Sequence, residues 1–270
     1  MRYSELCDML KSAKIDNYAR EAAILIEEIC GELSPDTDYC SKRLEDAARK
    51  RCTGYPLQYI IGKWWFCRCE FELDESCLVP RPDTECVLEE GLKLLPKDSR
   101  FADLCTGSGC IAISMLDLRK DISGVAVELY PKTLEIARKN AEKNRVSDRI
   151  AFIEGDVLSG NVLGDVKFAL IISNPPYIQS EVVDSLTGEV TYEPRTALDG
   201  GEDGLIFYRA IVEGYSKNLC DGGYFVFEIG YDQADDIKKI AMCAGFDCRV
   251  VKDLGGNDRT AILSKQMSPV

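Results

Sequence analysis

The chain has 270 residues, 46% of them hydrophobic and 29% charged, with a formal net charge of −13 and a pI near 4.7. This is core material for one large domain, or for a small one beside a medium one. The acidity argues against a nucleic-acid partner, whose phosphates are gripped by clustered Lys and Arg. Histidine is absent, which excludes Ser-His-Asp and Cys-His catalysis and histidine metal sites. Thirteen cysteines, an odd count with no Cys-x-x-Cys spacing, predict free thiols in a reducing cytoplasm, with neither a disulfide framework nor a bound metal. No apolar run approaches the roughly 20 residues of a membrane span. The start, Met1-Arg2-Tyr3-Ser4-Glu5, lacks the apolar core of a signal peptide.

Residues 1 to about 55 read as helices. Tyr18, Ala22, Leu25, Ile26 and Ile29 recur at helical spacing, with Asp16 as the expected N-cap and Gly31 as the stop. Ser34-Pro35-Asp36 is expected to open a further helix with a sparser stripe of Tyr39, Leu44 and Ala48, closed by Thr53-Gly54-Tyr55-Pro56. The first unit, residues 1–62, is thus a small helical bundle without catalytic motif. Its role stays open between a packing cap and a docking module for a macromolecular substrate.

From Lys63 to Leu73 the pattern alternates at period two and is rich in aromatics, which predicts a strand or hairpin. Pro80 and Pro82 stiffen the linker that follows, and Asp83 or Thr84 can cap the next helix, through Val87, Leu88, Leu92 and Leu95. Arg81 and Glu85 read either as solvated linker charges or as charges positioned near the site, a choice the sequence leaves open. Residues 63–82 are taken as hairpin and linker, and 83–270 as the main domain. There, strands at 101–104, 124–127, 150–153 and 168–172 alternate with helices at 111–118 and 133–144. Such alternation means a parallel, doubly wound sheet. A polar stretch from Tyr177 to about Gly204 is long enough to be functional. A helix at 205–219, a strand at 224–229, a helix at 234–244 and strands at 246–251 and 260–263 complete the chain.

The strand at 168–172 runs into Ser173-Asn174-Pro175-Pro176-Tyr177. Two prolines stop the ladder and present Asn174 at the carboxyl end of a central strand, where open α/β sheets bind ligands. Pro175 and Pro176 have no N–H, so the turn is rich in acceptors and poor in donors. With the Asn174 carbonyl and the flat face of Tyr177, it forms a cradle for a planar NH2 group. Upstream, Asp103-Leu104-Cys105-Thr106-Gly107-Ser108-Gly109 joins a strand to a helix start, and Gly107 and Gly109 allow close backbone approach to a ligand. The third glycine of a dinucleotide turn is missing, and Asp103 is unfavourable beside a pyrophosphate. Glu128 ends the second strand, where an acid can hold ribose hydroxyls, and Asp156 follows the third, where it could accept from an adenine amino group. Three acids at three strand ends describe S-adenosylmethionine better than NAD.

These residues, with the helical N-terminus, Pro80-Arg81-Pro82-Asp83-Thr84-Glu85 and the tail Gly188–Gly204, closely resemble the release factor glutamine methyltransferase family (HemK/PrmC, protein-(glutamine-N5) methyltransferases) over essentially the whole chain. The resemblance implies an α/β fold of the class I S-adenosylmethionine-dependent methyltransferase type, Rossmann-like with a mostly parallel seven-stranded sheet, behind a small N-terminal helical bundle. It implies methyl transfer to the glutamine amide nitrogen of the Gly-Gly-Gln motif in class-1 peptide-chain release factors. Asn174 and the Pro175 carbonyl would hold that amide, with Pro176 beside it and Tyr177 packing on its plane. Asp103, Thr106, Gly107, Gly109, Glu128, Asp156 and Asn174 would surround the cofactor, with no metal. The implied enzyme is a cytoplasmic monomer acting on a protein, without nucleic-acid or membrane contact. Cys105 departs from the family, which commonly has glycine there, so the cysteine must adopt the same turn or shift it slightly.

Three alternatives stand beside this. A ribosomal-protein glutamine methyltransferase would share the chemistry, and assay on both substrates separates the two. An amino-methylating nucleic-acid methyltransferase can use the same cradle, but no basic segment interleaved with aromatics is present. A non-enzymatic S-adenosylmethionine-binding protein would not need the amide acceptors.

Overall fold

A computed structural model of the chain describes residues 1–34 and 36–265. Four helices open it: α1 (Tyr3–Ser12), α2 (Tyr18–Cys30), α3 (Lys42–Cys52) and α4 (Leu57–Ile61). Leu6, Leu10, Ala22, Leu25, Ile26, Leu44 and Ala48 close around one another as their own apolar cluster. Gly31 ends α2 in the left-handed conformation (φ 88°), as its position predicts. Two expectations fail here. Asn17, not Asp16, occupies the N-cap of α2, without a side-chain cap bond. The helix expected from Ser34-Pro35-Asp36 begins instead at Lys42, where Ser41 Oγ accepts from Leu44 N at 3.2 Å; Pro35 itself lies outside the described residues. Ties from Tyr39 override the local helix signal: its N–H donates to Met1 O at 3.2 Å, a long-range contact, and its hydroxyl donates to Glu32 O at 3.0 Å.

The hairpin of β1 (Lys63–Phe66) and β2 (Cys69–Glu72) follows, antiparallel in register. Its inner side chains, Phe66 and Phe71, join the main core rather than that of the bundle. Asn140 holds the hairpin edge like a neighbouring strand, accepting from Glu72 N at 2.7 Å and donating to Glu72 O at 3.1 Å. Ile60 and Trp64 pack against both cores and so join the two units.

The remaining elements are α5 (Thr84–Leu94), β3 (Arg100–Leu104), α6 (Cys110–Leu118), β4 (Ser123–Glu128), α7 (Pro131–Lys143), β5 (Ile150–Glu154), β6 (Phe168–Ser173), α8 (Ser180–Ser185), α9 (Ile206–Tyr215), β7 (Leu219–Glu228), α10 (Ala234–Cys243), β8 (Phe246–Lys252) and β9 (Asp258–Lys265). Seven strands form one sheet in the order β5-β4-β3-β6-β7-β9-β8, parallel except for β9, which runs antiparallel to both neighbours. Apolar residues of α5, α6 and α7 cover one face and those of α9 and α10 the other. The connections diverge between β3 and β6, so the switch point of the sheet lies at the carboxyl ends of these two strands. The helix expected over 205–219 stops at Tyr215 because buried Asn218 donates to Gly164 O at 2.9 Å and Val166 O at 2.8 Å, ending that segment and starting β7 early.

The glycine paired with Phe101 across β3 and β4 is a packing requirement. A Cβ on Gly124 would stand 2.5 Å from Cζ of Phe101, whose ring is fully buried and cannot swing aside. Gly124→Ala is expected to destabilise the fold by about 1–3 kcal/mol through overpacking, read as a lowered midpoint in urea denaturation.

Candidate active site

The loop after β3 is built on strain that pays for closeness. Cys105 has φ 61° and Gly107 φ 56°; the first is unusual for a residue with a side chain. Cys105 therefore adopts the turn that suits glycine rather than shifting it. The loop is pinned on two sides. Thr106 N donates to Val127 O at 3.0 Å, and the Thr106 hydroxyl donates to Asp103 Oδ2 at 2.6 Å. Gly107 N donates to Glu128 Oε2 at 3.0 Å, while Leu129 N and Tyr130 N donate to Glu128 Oε1 at 3.0 and 3.1 Å. Glu128 is thus fixed by three backbone N–H groups and keeps lone pairs for a ligand. Burial pushes its proton affinity up, and those N–H groups pull it back.

A cleft of about 380 Å³ opens above this edge of the sheet, lined by Thr106, Gly107, Glu128, Asp156, Asn174 and Pro176 among others. A Cβ on Gly107 would meet nothing within 4 Å, so its backbone faces open space. Asp156 caps the short turn after β5 by accepting from Leu158 N at 2.9 Å. Two of the expected cofactor residues do not line the cleft. Asp103 is fully buried beneath the loop, where its Oδ2 accepts from the Thr106 hydroxyl. Gly109 is the N-cap of α6, packed against Ile113.

A second cavity of about 130 Å³ adjoins the first and is lined by Asn174, Pro175, Tyr177, Arg81, Leu198 and Glu228 among others. Asn174 belongs to both walls. Its Nδ2 lies 3.4 Å from the Thr84 hydroxyl, and among the described residues no donor reaches its Oδ1 or the Pro175 carbonyl. The polar stretch after Tyr177 folds back on this turn. Ile178 N donates to Leu198 O at 2.9 Å, Gly200 N to Ile178 O at 2.7 Å, and Gln233 Nε2 to Tyr177 O at 3.0 Å.

The linker charges have positions that spacing did not reveal. Arg81 pairs with Glu193, which is buried and also accepts from Val79 N at 3.4 Å. Glu85 accepts from Cys67 N at 3.0 Å. The helical unit is fastened to the same stretch: buried Arg51 meets Glu21 and Glu189, both at 2.5 Å, and the Tyr192 hydroxyl donates to Thr53 O at 3.2 Å. Thr84 and Glu228 were missed in the sequence, although Glu228 in Phe227-Glu228-Ile229-Gly230 carries the same sign as Glu128, an acid ending a central strand.

The strand order, the glycine loop and the acid at the end of β4 define a class I methyltransferase, a type that uses S-adenosylmethionine in general. Residues 86–207 match the family model described as methyltransferase small domain. A methyltransferase structure from Pyrococcus furiosus aligns at 19% identity over 74% of this chain and 90% of that one, with a TM-score of 0.56, which speaks for the fold alone. A release factor glutamine methyltransferase from Caulobacter vibrioides is 36% identical over 94% of this chain and 92% of its own length. One from Geobacter sulfurreducens is 41% identical over 78% and 73%. The chain belongs to the release factor glutamine methyltransferase family.

Burial pushes the Asp103 carboxyl from 3.8 up to about 7, against the pull of its hydrogen bonds. The folded state therefore holds this proton more tightly than the unfolded chain, and the stability it contributes is full at low pH and lost as pH rises through about 7. Without ligand, the stability of Asp103→Asn relative to the natural protein should rise from pH 4 upward and level off above pH 7. Urea titrations across this range check the slope, and a constant difference would contradict it.

Proposed function

We propose that the protein transfers the methyl group of S-adenosylmethionine to the side-chain amide nitrogen of the glutamine in the Gly-Gly-Gln motif of class-1 peptide-chain release factors. The observation that carries this reading is Asn174, shared by the walls of two adjoining cavities, with no donor to Oδ1 or to the Pro175 carbonyl among the described residues.

The donor set of the larger cleft fits the cofactor. Glu128, held from behind by backbone N–H groups, accepts from ribose hydroxyls. Asp156 has an oxygen left for an adenine amino group, the open backbone of Gly107 allows close approach, and Thr106 carries the influence of Asp103 to the amino-bearing end. When bound, S-adenosylmethionine supplies an electrophilic methyl on a sulfonium. The chain's own part is to make an amide nitrogen, whose lone pair is delocalised, competent to attack. Asn174 Oδ1 and the Pro175 carbonyl accept its two hydrogens, and Tyr177 and Pro176 flank its plane. These acceptors oppose the positive charge that grows on nitrogen, a preorganised electrostatic stabilisation, and hold a near-attack geometry. The methylated nitrogen is acidic and loses its proton readily, so no imidazole base is required.

A lone glutamine offers too few contacts to select one protein, so specificity must come from surface remote from the transfer. We assign residues 1–62 to docking. Through Arg51–Glu189 and Tyr192–Thr53 they touch the segment that packs on the Asn174 turn. The net charge of −13 suits a substrate with a basic surface.

Asn174→Ala should lower methylation of release factor by about 10²–10³-fold with cofactor affinity unchanged. Glu128→Ala should weaken cofactor binding by about 1–3 kcal/mol. Turnover assays paired with calorimetry separate these roles; near-normal turnover of Asn174→Ala would defeat the cradle. For the docking charge, kcat/KM should fall as salt rises, and a flat salt profile would remove the electrostatic part.

A further inference from the structure

A buried line of hydrogen bonds runs behind Asn174. Its far end is Glu228, the last residue of β7. Thr84, the first residue of α5 and also buried, donates its hydroxyl to Glu228 Oε2 at 2.6 Å. The same hydroxyl oxygen accepts from Asn174 Nδ2 at 3.4 Å, and the Tyr177 hydroxyl donates to Glu228 Oε1 at 3.3 Å.

The direction of this line has a chemical consequence. An ionised carboxylate only accepts hydrogen bonds, and a threonine has one hydroxyl hydrogen. Having given that hydrogen to Glu228, Thr84 offers Asn174 nothing but lone pairs. Only the NH2 end of the Asn174 amide can answer a lone pair, so Oδ1 is left for the ligand. We propose that Glu228, acting through Thr84, is the positioning residue that fixes the orientation of the Asn174 amide and so makes the site accept an NH2 donor. This rests on Asn174 as the acceptor for the substrate amide. A protonated Glu228 can itself donate to Thr84, whose hydrogen then turns toward Asn174; the amide, whose Nδ2 faces Thr84, flips to accept it with Oδ1 and so takes an acceptor from the site.

The orientation should therefore depend on pH through Glu228. The charged and titratable groups around it are Asp83 and Arg81 from the linker, Cys110 from α6, Tyr177 after β6, Tyr208 from α9 and Arg259 from β9. Burial raises the proton affinity of Glu228, while Thr84, Arg259 and Tyr177 lower it. At saturating cofactor, kcat should fall on the acid side as Glu228 takes up its proton.

The test compares Thr84→Val, Thr84→Ser, Glu228→Gln and Asn174→Ala, with kcat on whole release factor and cofactor affinity by calorimetry. Thr84→Val keeps shape but neither donates nor accepts, and should lose at least about tenfold in kcat with cofactor affinity intact. Thr84→Ser should restore most of it. Glu228→Gln should lower kcat at neutral pH and lack the acid limb. Wild-type kcat in Thr84→Val and Glu228→Gln, beside a crippled Asn174→Ala, would overturn the positioning role and leave the cradle standing. Wild-type kcat in Asn174→Ala would instead remove the cradle itself. Equal losses in Thr84→Val and Thr84→Ser would mark mere packing and overturn the proposal. Should Thr84→Val fail to fold, an unchanged acid limb in Glu228→Gln would do the same.

Discussion

Two consecutive imino acids at the end of a central strand set the terms for everything around them. Pro175 and Pro176 cannot donate, so the chain leaving β6 presents carbonyls where an ordinary turn would present alternating N–H and C=O groups. Asn174 adds one more acceptor, provided its amide faces the right way. The surroundings can be read as solutions to that one problem. Gln233 satisfies the Tyr177 carbonyl, the segment around Leu198 and Gly200 pairs with Ile178, and Thr84 meets Asn174 Nδ2. What remains unmet are the acceptors that a planar NH2 group needs.

The same edge of the sheet carries three buried carboxyl groups: Asp103 at β3, Glu128 at β4 and Glu228 at β7. Burying a carboxylate is costly unless donors surround it, and each is treated differently. Glu128 is wrapped in backbone N–H groups, Glu228 is met by two hydroxyls, and Asp103 accepts from one hydroxyl while burial raises its proton affinity. These acids give the edge acceptors for a cationic or amino-bearing ligand, Glu128 among those that line the cleft. In a chain of net charge −13, this local field and the overall one share a sign.

Much of this was legible in the sequence because it is local. The apolar run into Asn174, the glycine loop and the acid at Glu128 are each contained within a few residues, and strand–helix alternation sets the layers. What stayed hidden depends on residues far apart in the chain. Arg81 looks like a linker charge until Glu193 folds over it, and Thr84 looks like a helix start until Glu228 arrives from β7. The helix expected at Ser34 loses in part to the tie that Tyr39 makes with Met1. Position in the sequence put Asp103 at the edge of the site, but not its depth beneath the loop, which follows from its bond with the Thr106 hydroxyl and from how tightly β3 is enclosed.

The central claim is that this acceptor-only turn places one methyl group on a glutamine amide nitrogen. Incubating the full-length protein with S-adenosylmethionine and a class-1 release factor, then locating the added mass by fragmentation, tests it most directly. The account predicts a single methyl on the side-chain nitrogen of the Gly-Gly-Gln glutamine, and none when that glutamine is replaced by glutamate. A methyl found at another residue, or still added to the glutamate variant at that position, would contradict it.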